Sequence, residues 1–400
     1  MIVFLSACVE KDTAVIEKQD LFHLSMGKTE DAMDLIQLPG IPFKDRSRLV
    51  MKNGLFYISN GNSGKVMEFN SYGDILSLYY NTKKNPVPLL LEGNTKGEGV
   101  SNRKAFPYSF NHIGEIEVTS KGELLVDDEV PANRVEYDDE SASVLNRVVL
   151  LFSKEGKLSG YLGQEGLGGT PFPYIDRIAV NNHGDIVVFT RTIKTRVVYW
   201  FTSEGSILYT ITFPLSALPG IEGKQLVSFL DDMTVSRTEQ VIFLKIDYYS
   251  CIKESGESEN SNPGDYLESR IWEFSVPENR YTGSMVIPRV KGPPYGVKPE
   301  QQRQYDYIYT FLGCDNYGRF FFLVHLSEDH FQLLVLASNG TVLSKNQLNM
   351  DDSEITYSSF YLTETGLLTA LLAKVDRVDI VWWRSDKIKG ARQDEAYNQF

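Results

Sequence analysis

A unit with two turns recurs six times along the 400 residues, and few architectures can accommodate it. Each copy reads as an alternating apolar run, a polar turn, a second run, a connection, a third run, another turn and a fourth run. The turns fall at Gly54 and Gly73, Gly122 and Gly156, Gly184 and Gly205, Gly318 and Gly340, and Gly366 and Asp386. In the fourth copy Glu239 and Asn279 stand where the others carry glycine. The undecorated copies keep 19, 21, 22 and 20 residues between their two turns, while the second and fourth copies stretch to 34 and 40. Near-constant spacing fits paired hairpins, because Gly or Asn supplies the positive φ that tight turns demand. A β-sandwich also yields many short strands, but it has no reason to repeat one four-strand unit six times. The pattern predicts an all-β chain folded as a six-bladed β-propeller of four-stranded antiparallel blades.

Ring closure requires a strand from the other terminus. After Asp386 the sixth copy offers only Lys387-Ile-Lys-Gly-Ala-Arg392, a poor outer strand. Asp20-Leu-Phe-His-Leu-Ser25 alternates well, so this N-terminal segment is expected to complete the last blade and remove its free edge. The expected organisation is a tether over 9–19, a propeller over 20–390 and a C-terminal tail over 391–400.

Tyr161-Leu-Gly163-Gln-Glu-Gly166-Leu-Gly168-Gly169-Thr-Pro-Phe-Pro-Tyr-Ile-Asp176-Arg177-Ile resembles a Gly-rich stretch of the bacterial six-bladed, NHL-repeat-like propeller lipoproteins. In that family it joins the outer strand of one blade to the inner strand of the next; here Gly169-Thr-Pro replaces the family's Gly-Pro-Gly core. The resemblance spans residues of about 15 to 390 and implies fold far more than activity. Leu5-Ser6-Ala7-Cys8 is similar to a bacterial lipobox, which implies acylation at Cys8 and makes 1–8 the remnant of a lipoprotein signal. No Lys or Arg precedes Cys8, and only Ile2 to Leu5 are strongly apolar, so a working signal needs a start further upstream. The implied address is a bacterial cell envelope, lipid-anchored, periplasmic or surface-facing.

Charge narrows the partners. Forty basic residues against 53 acidic ones leave a formal net charge of −13, which repels nucleic acid and anionic lipid surfaces. Beyond Cys8 there are only Cys251 and Cys314, either bridged or free, with no zinc-like spacing. The five histidines (23, 112, 183, 325, 330) are scattered, and neither HExxH nor GxSxG occurs. Lactonase-type propeller hydrolases, to which the fold bears a resemblance, hold calcium at the channel mouth with oxygen ligands from several blades. On that analogy the candidate ligand-binding residues are Glu115 at the start of the second inner strand, Asp176 with Arg177 in the third, and Asp127 with Asp128 ending a second strand.

Loop lengths are lopsided. The a–b and c–d turns are short, whereas Glu129–Asn146 and Cys251–Glu268 are b–c insertions, and 81–111, 214–225 and 288–305 join blades. In a propeller the short turns share one face and the other connections share the opposite one. Binding is therefore expected on the loop-rich face, where the two acidic insertions flanking blade 3 favour a cationic partner. The expected function is a non-enzymatic, monomeric envelope lipoprotein that binds a protein or saccharide partner and needs no cofactor. The alternative is a calcium-dependent lactonase-like hydrolase.

Overall fold

The computed structural model describes residues 14–35, 46–91, 103–251, 264–295, 303–327, 329–351 and 353–388. Six antiparallel sheets form a closed propeller. From the axis outward, blade 1 is Leu49–Lys52, Leu55–Asn60, Lys65–Phe69 and Ile75–Tyr80, and blade 2 is Ile116–Val118, Leu124–Glu129, Arg147–Phe152 and Leu158–Gly163. Blade 3 is Tyr174–Val180, Ile186–Arg191, Thr195–Phe201 and Ile207–Pro214; blade 4 is Leu226–Val235, Val241–Ser250, Tyr266–Ser275 and Arg280–Ile287. Blade 5 is Thr310–Cys314, Phe320–Ser327, His330–Leu336 and Val342–Asn349. Blade 6 is Tyr357–Leu362, Leu368–Ala373 and Arg377–Trp383, completed on its outside by Lys18–Ser25. The N-terminal closing strand is thus present, in antiparallel register from Lys18 opposite Trp383 to Ser25 opposite Arg377.

Burial explains why the middle strands read as nearly continuous apolar runs. Both sides of each sheet are covered, so successive residues point into two different blade junctions. In Arg147–Phe152, Val148, Leu150 and Phe152 pack toward blade 1, whereas Val149 and Leu151 pack toward blade 3. The core accordingly divides into six clusters, one per junction between neighbouring blades. Every residue of Leu368–Ala373 is buried.

The turn glycines behave as their spacing implies: Gly54, Gly73, Gly122, Gly156, Gly184, Gly205, Gly318, Gly340 and Gly366 all hold φ between 70° and 88°. Asn279 takes their place in blade 4 with φ 50°. Its counterpart Glu239 needs no positive φ, because the Ser236 hydroxyl accepts the backbone N–H groups of Thr238 and Glu239 at 3.3 Å.

Three short strands extend the blades beyond four. Lys104–Pro107 runs parallel to Ile75–Tyr80, Gly166–Leu167 pairs with the end of blade 2, and Ala14–Ile16 runs parallel to Val342–Asn349. Residues 14–19 of the expected tether are therefore built into blades 5 and 6, where they supply hydrogen bonds to otherwise open sheet edges. Cys8 and residues 9–13 lie outside the described residues, as do 389–400. The loop-rich face carries a hairpin, Glu136–Asp138 with Ser143–Leu145, inside the first b–c insertion, and another, Val290–Tyr295 with Arg303–Tyr307, between blades 4 and 5. Most of the second b–c insertion, 252–263, is outside the described residues. Cys251 and Cys314 are both free; Cys314 is buried, its thiol donating to the Val235 carbonyl at 3.3 Å and pushed up to about 11 by burial. Among the described residues no helix is long and apolar enough to cross a membrane.

Candidate binding site at the channel mouth

The inner strands enclose a cavity of about 360 Å3 on the propeller axis. Its end on the loop-rich face is built by residues that open the inner strands. A side chain two positions from an apolar core residue would normally share that residue's side of the sheet, and its immediate neighbour would point away. β-Bulges break this rule here. The register slips between Ile175 and Arg177 in blade 3, and between Leu230 and Asp232 in blade 4. Each slip leaves one extra residue, Asp176 or Asp231, and brings consecutive charged side chains to one small hollow lined by Asp176, Arg177, Asp231 and Asp232.

Every carboxylate at this mouth is engaged by a cation. Glu115 accepts from Arg46 at 2.7 Å and from Arg48 at 2.8–2.9 Å. Asp176 faces Arg191 at 3.2 Å and Arg196 at 3.9 Å; Asp232 accepts from Arg177 at 2.7 Å. Asp231 is paired with the fully buried Lys245 at 2.8 Å. The Tyr174 ring lies under two guanidinium groups, Arg46 at 4.4 Å and Arg191 at 4.1 Å from its centroid. Burial outweighs the neighbouring guanidinium groups and holds the carboxyls of Asp176 and Asp232 above the ordinary range.

Deeper along the axis the chemistry changes. The buried Glu117 accepts the Tyr361 hydroxyl at 3.1 Å and the Val118 N–H at 2.9 Å, and burial raises its pKa. Arg237 lines the same cavity, donating to the carbonyls of Val180 at 3.2 Å and Cys314 at 3.4 Å.

The residues singled out from sequence thus separate into two groups. Glu115, Asp176 and Arg177 line the axial cavity. Asp127 and Asp128 are buried behind it at the end of the second strand of blade 2. Asp127 accepts from Arg147 at 2.7 Å and from the Glu115 N–H at 3.3 Å, so it steadies the backbone that presents Glu115. Gly114 permits this approach: a Cβ there would stand 1.8 Å from Asp127 Oδ2. Asp128 receives the backbone N–H groups of Asn111 at 3.1 Å and His112 at 2.8 Å, fixing the loop that enters blade 2. Sequence reasoning missed Arg46, Arg48, Arg191 and Arg196, four cations beside the three named candidates that line the cavity. Superposing the copies of the repeat would have found Arg48, since it precedes its inner strand as Glu115 does.

A calcium ion does not fit this arrangement. It requires about six to eight oxygen ligands with little competing positive charge. The mouth instead interleaves its carboxylates with arginines, and among the described residues no three His, Cys, Asp or Glu side chains converge as metal ligands.

Burial pushes the Asp128 pKa up to about 6 against the two N–H donors that favour its anion. The unfolded chain loses this proton near the ordinary carboxylate value, whereas the folded protein keeps it to about 6. This group's contribution to stability is therefore present at low pH and declines as pH rises through that window. Between pH 4 and 6.5 the wild-type protein should lose stability relative to Asp128→Asn, followed by chemical denaturation at each pH. Parallel profiles would contradict this assignment.

No family model matches the chain, and no curated protein matches it. Solved structures similar to it include an ulvan lyase, a polysaccharide lyase solved with a bound saccharide, at 12% identity, covering 93% of this chain and 84% of that one, with a TM-score of 0.40. Others are a gluconolactonase from Xanthomonas campestris at 11% identity (82% of each chain, TM-score 0.37) and the Dos1 propeller at 11% identity (91% of this chain, 95% of that one, TM-score 0.39).

Proposed function

We propose that the chain is a non-enzymatic propeller lipoprotein, held at a bacterial envelope through acylated Cys8, that binds a protein or saccharide partner on its loop-rich face. The observation that carries this reading is the mouth itself. Arg46, Arg48, Arg177, Arg191 and Arg196 outnumber Glu115, Asp176, Asp231 and Asp232 there, on a chain whose net charge is −13. The group contacted at the mouth is accordingly anionic rather than cationic, and the surrounding acidic loops repel anions that approach elsewhere.

Exposed apolar side chains on the same face support a macromolecular or oligomeric partner. Tyr137 in the blade 2 hairpin is 62% exposed, Ile193 in the b–c turn of blade 3 is 82% exposed, and Phe229 at the start of blade 4 is 56% exposed. Aromatic and arginine side chains of this kind dominate binding energy in protein interfaces. Among the described residues each mouth carboxylate is paired with a cation, an arrangement suited to recognising a charged partner group.

Replacing 131–145 with a short Gly-Ser link removes Tyr137 and its hairpin while touching no blade strand. Capture of the partner from detergent-solubilised envelope should then weaken by about tenfold, equivalent to one interface anchor. The companion variant Cys8→Ala, compared with wild type when both are expressed behind a complete secretory signal, should shift the protein from membrane to soluble fraction. Undiminished capture by the loop variant would move the site off this face, and unchanged membrane fractionation of Cys8→Ala would remove the anchor.

A further inference from the structure

The face with the short turns is not featureless. At three blade junctions the glycine of a c–d turn is pressed against a large apolar side chain of the preceding blade. A Cβ on Gly73 would stand 2.8 Å from Phe22, one on Gly156 2.3 Å from Phe106, and one on Gly205 2.9 Å from Leu162 and Leu167. Between blades 4 and 5 the corresponding glycine, Gly340, meets only Met285, at 3.3 Å, and a cavity of about 380 Å3 remains open beside that side chain.

The floor of this cavity is apolar. Phe243 and Phe320 stand edge to face with centroids 4.7 Å apart, next to Ile271 and Met285. Its polar rim carries one sign of charge. Among the described residues no Lys, Arg or His lines it, whereas Glu239 and Glu273 both do. The Glu239 carboxylate has no hydrogen-bond or ion-pair partner among the described residues, and Glu273 accepts only the Thr282 hydroxyl at 2.9 Å. In the same wall the amide oxygen of Asn316 is buried without a hydrogen-bond donor. Asp315 in this wall is itself paired with the buried Arg319 at 2.6 Å. Arg237 reaches the back of this wall only from the axial side, through the Cys314 carbonyl. Glu239 is also the residue that replaces the turn glycine of the other copies, so the repeat departs from its pattern at this cavity.

We propose that this cavity is a second binding site, separate from the channel mouth, for an organic ammonium carried on an aromatic or other apolar body. The ammonium would pair with Glu239 and Glu273 and could donate to Asn316, whose unsatisfied oxygen is otherwise a cost to the fold. The apolar body would displace water from the phenylalanine floor. Met285 suits this role because its unbranched thioether side chain adapts its shape to what it touches. A neutral ligand of the same shape would forgo the charge pairing, and an anionic one would meet the two carboxylates.

Protonated 2-phenylethylamine, 2-phenylethanol and 3-phenylpropanoate are suitable probes, used on the whole protein with calorimetry and with methyl-labelled methionine NMR. The Met285 signal, one of 8 methionines, is assigned by Met285→Leu. The amine should move the Met285 methyl resonance and bind about tenfold or more tightly than the alcohol, with the carboxylate weakest. Glu239→Gln combined with Glu273→Gln should abolish the preference for the amine while leaving thermal stability unchanged, since both side chains are exposed. Arg177→Ala with Arg191→Ala, at the opposite face, should preserve it. Equal binding of amine and alcohol, a Met285 resonance unmoved by millimolar amine, or a preference that survives the double glutamine variant would each overturn the proposal.

Discussion

Removal of residues 1–26 should leave a protein that no longer folds to a stable ring. The lost segment contributes the whole outer strand of blade 6 and the strand Ala14–Ile16 on the edge of blade 5. Leu24 is 3% exposed and packs with Leu371, Val378 and Ile380. Phe22 sits 5.5 Å, centroid to centroid, from both Phe56 and Phe69, bridging blades 6 and 1. Deleting a buried Leu or Phe side chain costs about 2–5 kcal/mol, so losing both approaches the roughly 5–15 kcal/mol that stabilises a typical domain. The unpaired edge of Arg377–Trp383 would also offer a template for aggregation. The milder variant Phe22→Ala should lower the thermal midpoint of a protein that still folds. A truncated protein with the wild-type melting temperature would show that the N-terminal strand does not close the ring.

That strand is legible in the sequence, and the reason is local. Asp20 to Ser25 alternates, and the sixth copy lacked an outer strand, so the count itself demanded a donor. The turn glycines were legible because positive φ is a constraint that one residue type meets best, and Asn279 shows the next-best solution. Lys104–Pro107 and Ala14–Ile16 were not legible. They add to blades as parallel edge strands, with no tight turn beside them and too few residues to show a period.

The candidate site was half legible for a related reason. Position within the repeat placed Glu115, Asp176 and Arg177 at the openings of inner strands, where they do line the axial cavity. It gave no sign of the bulges at Asp176 and Asp231, which depend on how two strands pair rather than on either one's composition. Without the bulges, Arg191 and Arg196 read as ordinary residues flanking an exposed b–c turn. Asp127 and Asp128 looked available because a run of acids at a strand end is usually solvated; burial against Arg147 and the Asn111–His112 backbone is a tertiary outcome.

Binding at the arginine-rich mouth can be tested on the partner itself. The direct measurement is the affinity of the partner recovered from solubilised envelope for wild-type protein and for Arg177→Ala combined with Arg191→Ala, each at low and at moderate salt. Arg177 and Arg191 are partly exposed there, at 29% and 46% of their side chains, so truncating them should not unfold the blades. Each removes a guanidinium of the kind that anchors interfaces, and together they should weaken binding by about a hundredfold, close to 3 kcal/mol. Salt should weaken the wild-type complex more than the variant's, because the screened charges are those removed. An affinity unchanged by the double substitution, with the same salt dependence, would place the working surface elsewhere on the propeller.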